Sequence, residues 1–139
     1  MVEKSNKKLE FDTNAHGQNT IFIMKLGDII SRVVIDPRKL TEYALNPDNP
    51  VCADKAAMFQ QPLGFTKDNY EALLEQISAI ALETEAIVGR SDEHGRRYQV
   101  DLEIIGVEEG QREVVRTGWI VEPDSEVARL VTLYVRKRQ

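Results

Sequence analysis

Residues 96–106, RRYQVDLEIIG, decide the fold class because their polar and apolar side chains alternate with a period of two. Tyr98, Val100, Leu102 and Ile104 fall on one face, and Arg97, Gln99, Asp101 and Glu103 fall on the other. Successive side chains of a β-strand point to opposite faces of the sheet. The stretch therefore predicts a half-buried strand with a polar outer face.

Turn-forming residues on both sides of this strand predict hairpins. The segments 92–95 (DEHG) and 108–110 (EEG) separate it from its neighbours at hairpin distance, and 122–124 (EPD) forms a further turn. Strands joined by such short turns pair antiparallel. We therefore expect four strands, near 86–90, 96–106, 112–121 and 127–136.

Two short helices are predicted before these strands. Asp36 and Pro37 favour a helix start, because aspartate caps free N–H groups and proline loses nothing at the first helical position. That helix should span 37–45 and end at the turn-rich loop 46–50 (NPDNP), since the residue before a proline avoids the helical region. A second helix is expected near 53–61, ended by the proline and glycine that follow.

The strongest helix is predicted over 66–83. Thr66 can cap its first N–H groups. Its apolar residues recur at the spacing of one buried helical stripe, with Leu74 in the middle. The stripe consists of Tyr70, Leu73, Leu74, Ile77 and Ala81.

Helices followed by hairpin strands predict an α+β domain, with N-terminal helices packed on one face of a C-terminal four-stranded antiparallel sheet. The other face is left for function. Residues 1–19 are polar and without periodicity, so we expect a flexible extension followed by a single domain over 20–139. Segments 21–24 and 32–35 are weaker strand candidates.

Composition limits the classes of partner. The 139 residues carry a net charge of −5, which argues against broad attraction to nucleic acid or anionic membrane. The single cysteine, Cys52, suits a reducing compartment, and the chain has neither a long apolar run nor a secretory signal. We expect a cytoplasmic protein without a membrane partner. The basic segment 136–138 (RKR) is interpreted as a solvated terminus; the alternative is a local basic patch.

No sequence motif predicts a cofactor or a metal. Phosphate-binding glycine loops and a Gly-x-Ser-x-Gly motif are absent from the sequence. Neither His16 nor His94 has a partner at metal-ligand spacing. His94 lies in a predicted turn, where it is a tolerated polar residue; the alternative is a proton carrier near neutral pH.

Two sets of strand residues are candidates for catalysis or ligand binding. Asp101 and Glu103 share one face of a strand, as a carboxylate pair or as ordinary solvent-facing residues. The last two strands bring guanidinium, hydroxyl and aromatic groups together, a combination suited to phosphate and base contacts, although alternation divides the set between the two faces. That set is Arg116, Thr117, Trp119, Arg129, Thr132 and Tyr134.

The residues 39–56 (KLTEYALNPDNPVCADKA), followed by Phe59 and 63–65 (LGF), resemble an uncharacterised bacterial domain family with the pattern K-L-x-x-Y-x-L-N-P-x-H-P-x-G-x-x-K-A-x-x-F. Three later segments, 95–101, 117–120 and 129–135, are similar to the strand motifs of that family. The resemblance covers about residues 24 to 136.

The resemblance implies a toxin-associated domain, because members of that family occur alone and at the C-termini of secreted bacterial toxins. Helices before a four-stranded sheet are also similar to the fold of barnase-like and RelE-like ribonuclease toxins. The sequence departs from the family pattern at Asn49, where the pattern has histidine, and at Cys52, where it has glycine. Asparagine cannot exchange a proton near neutral pH, so a catalytic role of that histidine would be lost here.

The leading hypothesis is a toxin-like domain that cleaves RNA without a metal ion or other cofactor. Lys55 and Arg116 would stabilise charge on the phosphate, and Asp101, Tyr134 or His94 would move protons; the sequence does not choose among these three. Asn49 and three strand residues are the candidate substrate-binding groups. Those three are Trp119, Arg129 and Thr132.

The alternative is a non-catalytic interaction module that binds a cognate protein, supported by the acidic composition and by the weak catalytic motifs. A toxin would have a cognate antitoxin or immunity protein as its partner, together with RNA. A module would have the cognate protein alone.

Overall fold

The structure of the chain is a computed structural model that describes residues 10–13 and 20–137, with only the backbone course for 10–13 and 20–23. Glu10–Thr13 forms a strand, β1, that pairs antiparallel with Thr20–Ile23, β2. Strand β2 confirms the candidate at 21–24. Of the expected extension, residues 1–9 and 14–19 lie outside the described part, so a domain boundary after residue 19 stays a prediction.

The main sheet contains the four predicted strands, and a fifth strand joins it. The predicted strands pair antiparallel in sequence order, which confirms the hairpins. Their bounds are Ala86–Asp92 (β4), Gly95–Ile105 (β5), Arg112–Val121 (β6) and Val127–Val135 (β7).

The fifth strand, Arg32–Val34 (β3), corrects the predicted four-stranded antiparallel sheet. It pairs parallel with residues 127–129 of β7, so the sheet is mixed, in the order β3-β7-β6-β5-β4. A parallel pair requires a long crossover connection, and the helices and three strands between β3 and β7 supply it. Strand β3 has only three residues, which is too short for its side-chain alternation to predict this pairing from the sequence. The coarser prediction of an α+β fold is confirmed.

The first predicted helix is present, but it is wound as a π-helix over Lys39–Ala44. The amide of Leu45 donates to the carbonyl of Leu40 at 2.8 Å, the five-residue spacing of that helix type. Before it, the backbone N–H of Arg38 donates to the Asp36 carboxylate at 3.0 Å, as expected for a residue at a helix start.

The second helix, Ala53–Leu63 (α1), extends past the predicted stop at Pro62. Pro62 lies in its last turn, where the proline removes only its own N–H from the ladder. The helix ends at Gly64, which has a positive φ of 80° and donates its N–H to the Gln60 carbonyl at 2.8 Å. The end of the helix is therefore set by the glycine.

The third helix confirms the predicted cap. The Thr66 hydroxyl accepts from the N–H of Asp68 at 3.2 Å, and Asn69 accepts from the N–H of Thr66 at 2.8 Å. A short 3-10 turn follows the cap, the α-helix proper (α2) spans Tyr70–Ile80, and a second 3-10 turn covers Ala81–Glu83.

One apolar core lies between the helices and one face of the sheet. The one-face residues Tyr98, Val100, Leu102 and Ile104 of β5 are all buried, which confirms the alternation, and α1 and α2 contribute to the same core. The stripe on α2 is shifted slightly from the prediction: Leu73 and Ile77 are fully buried, whereas Leu74 is half-buried.

The edge of the sheet at β7 positions the candidate site. Because β3 pairs only with residues 127–129, no described strand lies beside residues 130–135 on the side of β7 that faces away from β6. The π-helix and α1 contact β7 instead. Helical side chains can therefore reach past this edge to the outer face of the sheet.

Candidate functional site

The candidate site is built around an ion pair on the outer face of the sheet. Asp101 of β5 and Arg116 of β6 are cross-strand neighbours. Arg116 donates from Nε to Asp101 Oδ1 at 2.9 Å and from Nη2 to Oδ2 at 3.1 Å. Two parallel hydrogen bonds of this kind fix the guanidinium plane as well as its position.

Arg136, which follows β7, approaches the same carboxylate. Its Nη1 lies 3.3 Å from Asp101 Oδ2. Both oxygens of Asp101 therefore accept hydrogen bonds from guanidinium groups. The predicted carboxylate pair is not formed, because Glu103 is bound instead by Arg112, at 3.3 Å.

Tyr134 of β7 lies beside Arg116 in the strand register. The pKa of Arg116 is raised above its ordinary value, chiefly because the guanidinium donates to the Asp101 carboxylate. Desolvation opposes this change, and the neighbouring Tyr134 side chain adds to it. Arg116 is thus a permanent cation in contact with a phenol group.

Lys55 completes the cluster from the helical side. Its ammonium lies 5.4 Å from the centre of the Tyr134 ring, a distance typical of a cation–π contact. Within the described residues Lys55 forms no ion pair with a carboxylate. All four residues predicted to be catalytic therefore meet at one place: Lys55, Asp101, Arg116 and Tyr134.

Lys55, Arg116, Tyr134 and Arg136 border a cavity of about 360 Å³, here called the main cavity. Asp101 is not part of the lining, but it binds two of the lining residues, Arg116 and Arg136. Four cations and one acidic group line the cavity, although the whole chain is acidic. Such local concentration of one sign of charge attracts anions despite the opposite net charge. The lining consists of Asp54, Lys55, Met58, Arg116, Tyr134, Val135, Arg136 and Lys137.

Asn49 does not line the main cavity but holds its loop together. Its Nδ2 donates to the carbonyl of Glu42 at 3.2 Å, and its Oδ1 accepts from the N–H of Val51 at 2.9 Å. Asn46 makes similar bonds, to Glu42 and from Asp48. The predicted turn-rich loop is therefore ordered by its two asparagine side chains.

Trp119 is a core residue with an exposed fraction of 1%. Its Nε1 donates to the hydroxyl of Thr117 at 2.7 Å, and Thr117 in turn donates to the Val100 carbonyl at 2.6 Å. Trp119 is thus placed on the helical face, away from Asp101 and Arg116. Alternation along β6 predicts this separation.

Arg129 and Thr132 are exposed on β7 but lie outside the lining of the main cavity. Arg129 donates to Glu122 at 2.9 Å, near the opposite end of the strand. Thr132 lines a smaller neighbouring cavity.

His94 is far from the cluster. It lies in the β4–β5 turn with a side chain 72% exposed, and Glu93 is 3.7 Å from it. Seven residues separate it from Asp101, which corresponds to roughly 20 Å along a strand. The structure therefore leaves Asp101 and Tyr134 as the predicted proton carriers at the main cavity.

Sequence analysis missed the role of Arg136. The basic run 136–138 was the available signal, and it was interpreted as a solvated terminus. Arg136 lies two positions after Tyr134, directly after the end of β7, so continued alternation places both side chains toward the outer face. The alternative of a local basic patch is the one that the structure supports.

Fold and site together define an α+β domain with a cation-lined cavity at a sheet edge. The chain belongs to the family described as "Domain of unknown function (DUF6883)", whose model matches residues 25–137 and so spans every residue of the cluster. Comparison with curated proteins gave no match, and neither did comparison with solved structures. No helix in the described part of the chain combines the length and apolarity needed to cross a membrane.

Proposed function

We propose that this domain is a toxin-like ribonuclease that cleaves RNA without a metal ion. The observation that carries the proposal is the convergence of Lys55, Arg116 and Tyr134, with Asp101 and Arg136, on one cavity. These residues come from a helix, three strands and a strand end. Two further observations support it: the cationic lining within an acidic chain, and the resemblance of residues 39–65 to toxin-associated domains.

The chemistry needs no group beyond those at the main cavity. The ribose 2′-hydroxyl attacks the adjacent phosphorus and loses its proton. The bond from phosphorus to the 5′-oxygen breaks and that oxygen takes up a proton, so a 2′,3′-cyclic phosphate and a 5′-hydroxyl are formed. Lys55 and Arg116 neutralise charge that develops on the phosphate oxygens, which is the largest contribution that such a site can make.

Tyr134 is the group that we assign to proton transfer. Its ring lies 5.4 Å from the Lys55 ammonium, and Arg116 is its partner in the strand register. In the proposal its hydroxyl gives its proton to the departing 5′-oxygen and takes up the proton of the 2′-hydroxyl, because a phenol can act as a general acid or base. Asp101 has a different role in this proposal: its oxygens are occupied by Arg116 and Arg136, so it positions both guanidinium groups.

Expression in a bacterial host tests the proposal, with growth and total RNA integrity followed together. Wild type should slow growth and degrade RNA, and Lys55→Ala should abolish both effects. Lys55 is the best target because its removal leaves no described carboxylate without a partner. Lys67→Ala is the matched control, since it removes the same charge from an exposed site outside the cavity and should behave as wild type.

Intact RNA and normal growth with wild type would contradict the proposal. So would equal RNA degradation by wild type and Lys55→Ala. Asn49→His restores the family pattern, and we expect it to raise any activity that the wild type shows. If all three proteins are harmless and leave RNA intact, the second candidate replaces the first.

That second candidate is a non-catalytic module that binds a cognate protein. Strand β4 is an edge of the main sheet, and its Ile87 and Val88 are 54% and 60% exposed. An exposed edge strand with apolar side chains can accept a strand from a partner. Ile87→Lys should then weaken capture of the partner, and Lys55→Ala should not.

A further inference from the structure

A second, smaller cavity lies next to the main cavity along the same edge of β7. Its volume is about 150 Å³. Sites for complete small-molecule ligands measure roughly 300 Å³ or more, so this cavity suits one part of a larger ligand. Its lining includes Lys39, Tyr43, Cys52, Lys55, Val131 and Thr132.

Lys55 lines both cavities, so a ligand that extends from one to the other passes its ammonium. Each cavity also contains a lysine beside a tyrosine ring. The Lys39 ammonium lies 5.9 Å from the centre of the Tyr43 ring, and the Lys55 ammonium lies 5.4 Å from that of Tyr134. The two cavities thus repeat one arrangement of cation and aromatic ring.

The Tyr43 ring is available to a ligand, because 49% of this residue is exposed. The π-helix presents Lys39 and Tyr43 on the same side, four residues apart. Lys39 and Lys55 are the only charged residues in the lining of this cavity, within the part of the chain that the structure describes. A flat aromatic surface in a cavity that is lined by two cations suits a ligand made of flat bases and phosphates.

We propose that the smaller cavity is a base subsite for single-stranded RNA. The base next to the scissile phosphate stacks on Tyr43, and Lys39 contacts the phosphate beyond it. Base stacking on an aromatic side chain requires an unpaired base, so a duplex is excluded by geometry. The inference rests on the proposed function, because the main cavity must hold the scissile phosphate.

Binding can be measured apart from cleavage with a fluorescent single strand in which every 2′-hydroxyl is methylated, since such a strand cannot be cleaved. A strand of the same charge without bases, and the methylated strand paired with its complement, are the other two probes. Fluorescence anisotropy with the full chain gives the three affinities.

We expect wild type to bind the base-containing single strand more tightly than either other probe. Tyr43→Ala should weaken that binding about tenfold, the effect of one lost stacking contact, and leave the baseless strand unaffected. Tyr43→Phe retains the ring and should bind as wild type. Val107→Ala, a truncation at an exposed apolar residue outside both cavities, should also bind as wild type.

Equal affinity of wild type and Tyr43→Ala for the base-containing strand would overturn the subsite. Equal affinity of wild type for strands with and without bases would overturn it as well. Cleavage of RNA that persists in either case leaves the proposed function intact. Absence of binding to all three probes would overturn both proposals together.

Discussion

Thr117 shows how a single residue serves the fold rather than the site. It is the only polar side chain buried in the core among the described residues, with no exposed surface. Its hydroxyl links the Trp119 indole to the Val100 carbonyl, so one side chain satisfies two buried polar groups. Buried polar groups are tolerated only when they are hydrogen-bonded in this way.

Thr117→Val should therefore lower the free energy of unfolding by about 1–3 kcal/mol, because it leaves the indole N–H without its acceptor. Urea denaturation measures the change. Thr132→Val makes the same substitution on an exposed residue of β7 and should change stability by no more than about 0.5 kcal/mol. Equal effects of the two substitutions would show that the buried hydrogen bonds contribute nothing.

The sequence predicts the candidate residues better than their roles. Alternation along β5 and β6 places Asp101 and Arg116 on the outer face, but both faces of a strand look alike until the strand register is known. In that register Asp101 pairs with Arg116, whereas Glu103 forms an ion pair with Arg112. The two carboxylates therefore have different partners. Arg136 was missed because a basic run near a chain end resembles an ordinary solvated surface.

At the scale of elements, helix α2 follows the predicted periodicity with one shift. The stripe should be centred on Leu74, but the fully buried residues are Leu73 and Ile77. The spacing of apolar residues predicts the buried side of a helix to within about one position. Packing against the sheet determines which residue on that side is most deeply buried. Similarly, the helix near 37–45 was predicted, but its π-winding has no signal in the periodicity.

Leu73→Ala should cost roughly 2–5 kcal/mol of unfolding free energy, as buried leucine truncations do. Leu74→Ala should cost less, about 1 kcal/mol, because that side chain is half-buried. Urea denaturation of the two variants side by side measures the difference. If Leu74→Ala lowered the free energy of unfolding more than Leu73→Ala, the helix would have to be rotated about its axis relative to the structure described.

In the whole molecule, local patterns predict the antiparallel strands and a strand candidate at 32–35, but they do not predict that this strand, β3, pairs parallel with β7. Strands β4 to β7 are joined by short turns, so each turn reveals its own pair. Strand β3 meets β7 after more than ninety residues of intervening chain, and no local signal records a contact over that separation. The same holds for Lys55, which reaches Tyr134 only because β3 leaves part of β7 uncovered.

Residues 1–19 should contribute little to the stability of the main domain. Strand β1 pairs with β2 in a separate two-stranded sheet, and such a ribbon is only marginally stable by itself. Deletion of residues 1–19 should therefore shift the melting temperature little, as followed by circular dichroism. A large loss of stability would show that this segment packs on the main sheet.

RNA cleavage by the cluster at the main cavity can be measured with the purified chain and an end-labelled single-stranded RNA in excess EDTA, with the product ends analysed chemically. We expect wild type and Lys67→Ala to yield 2′,3′-cyclic phosphate ends. Lys55→Ala should be slower on the order of 100-fold, as expected when a charge-stabilising group is removed. Intact RNA with wild type, or equal rates for wild type and Lys55→Ala, would contradict the account.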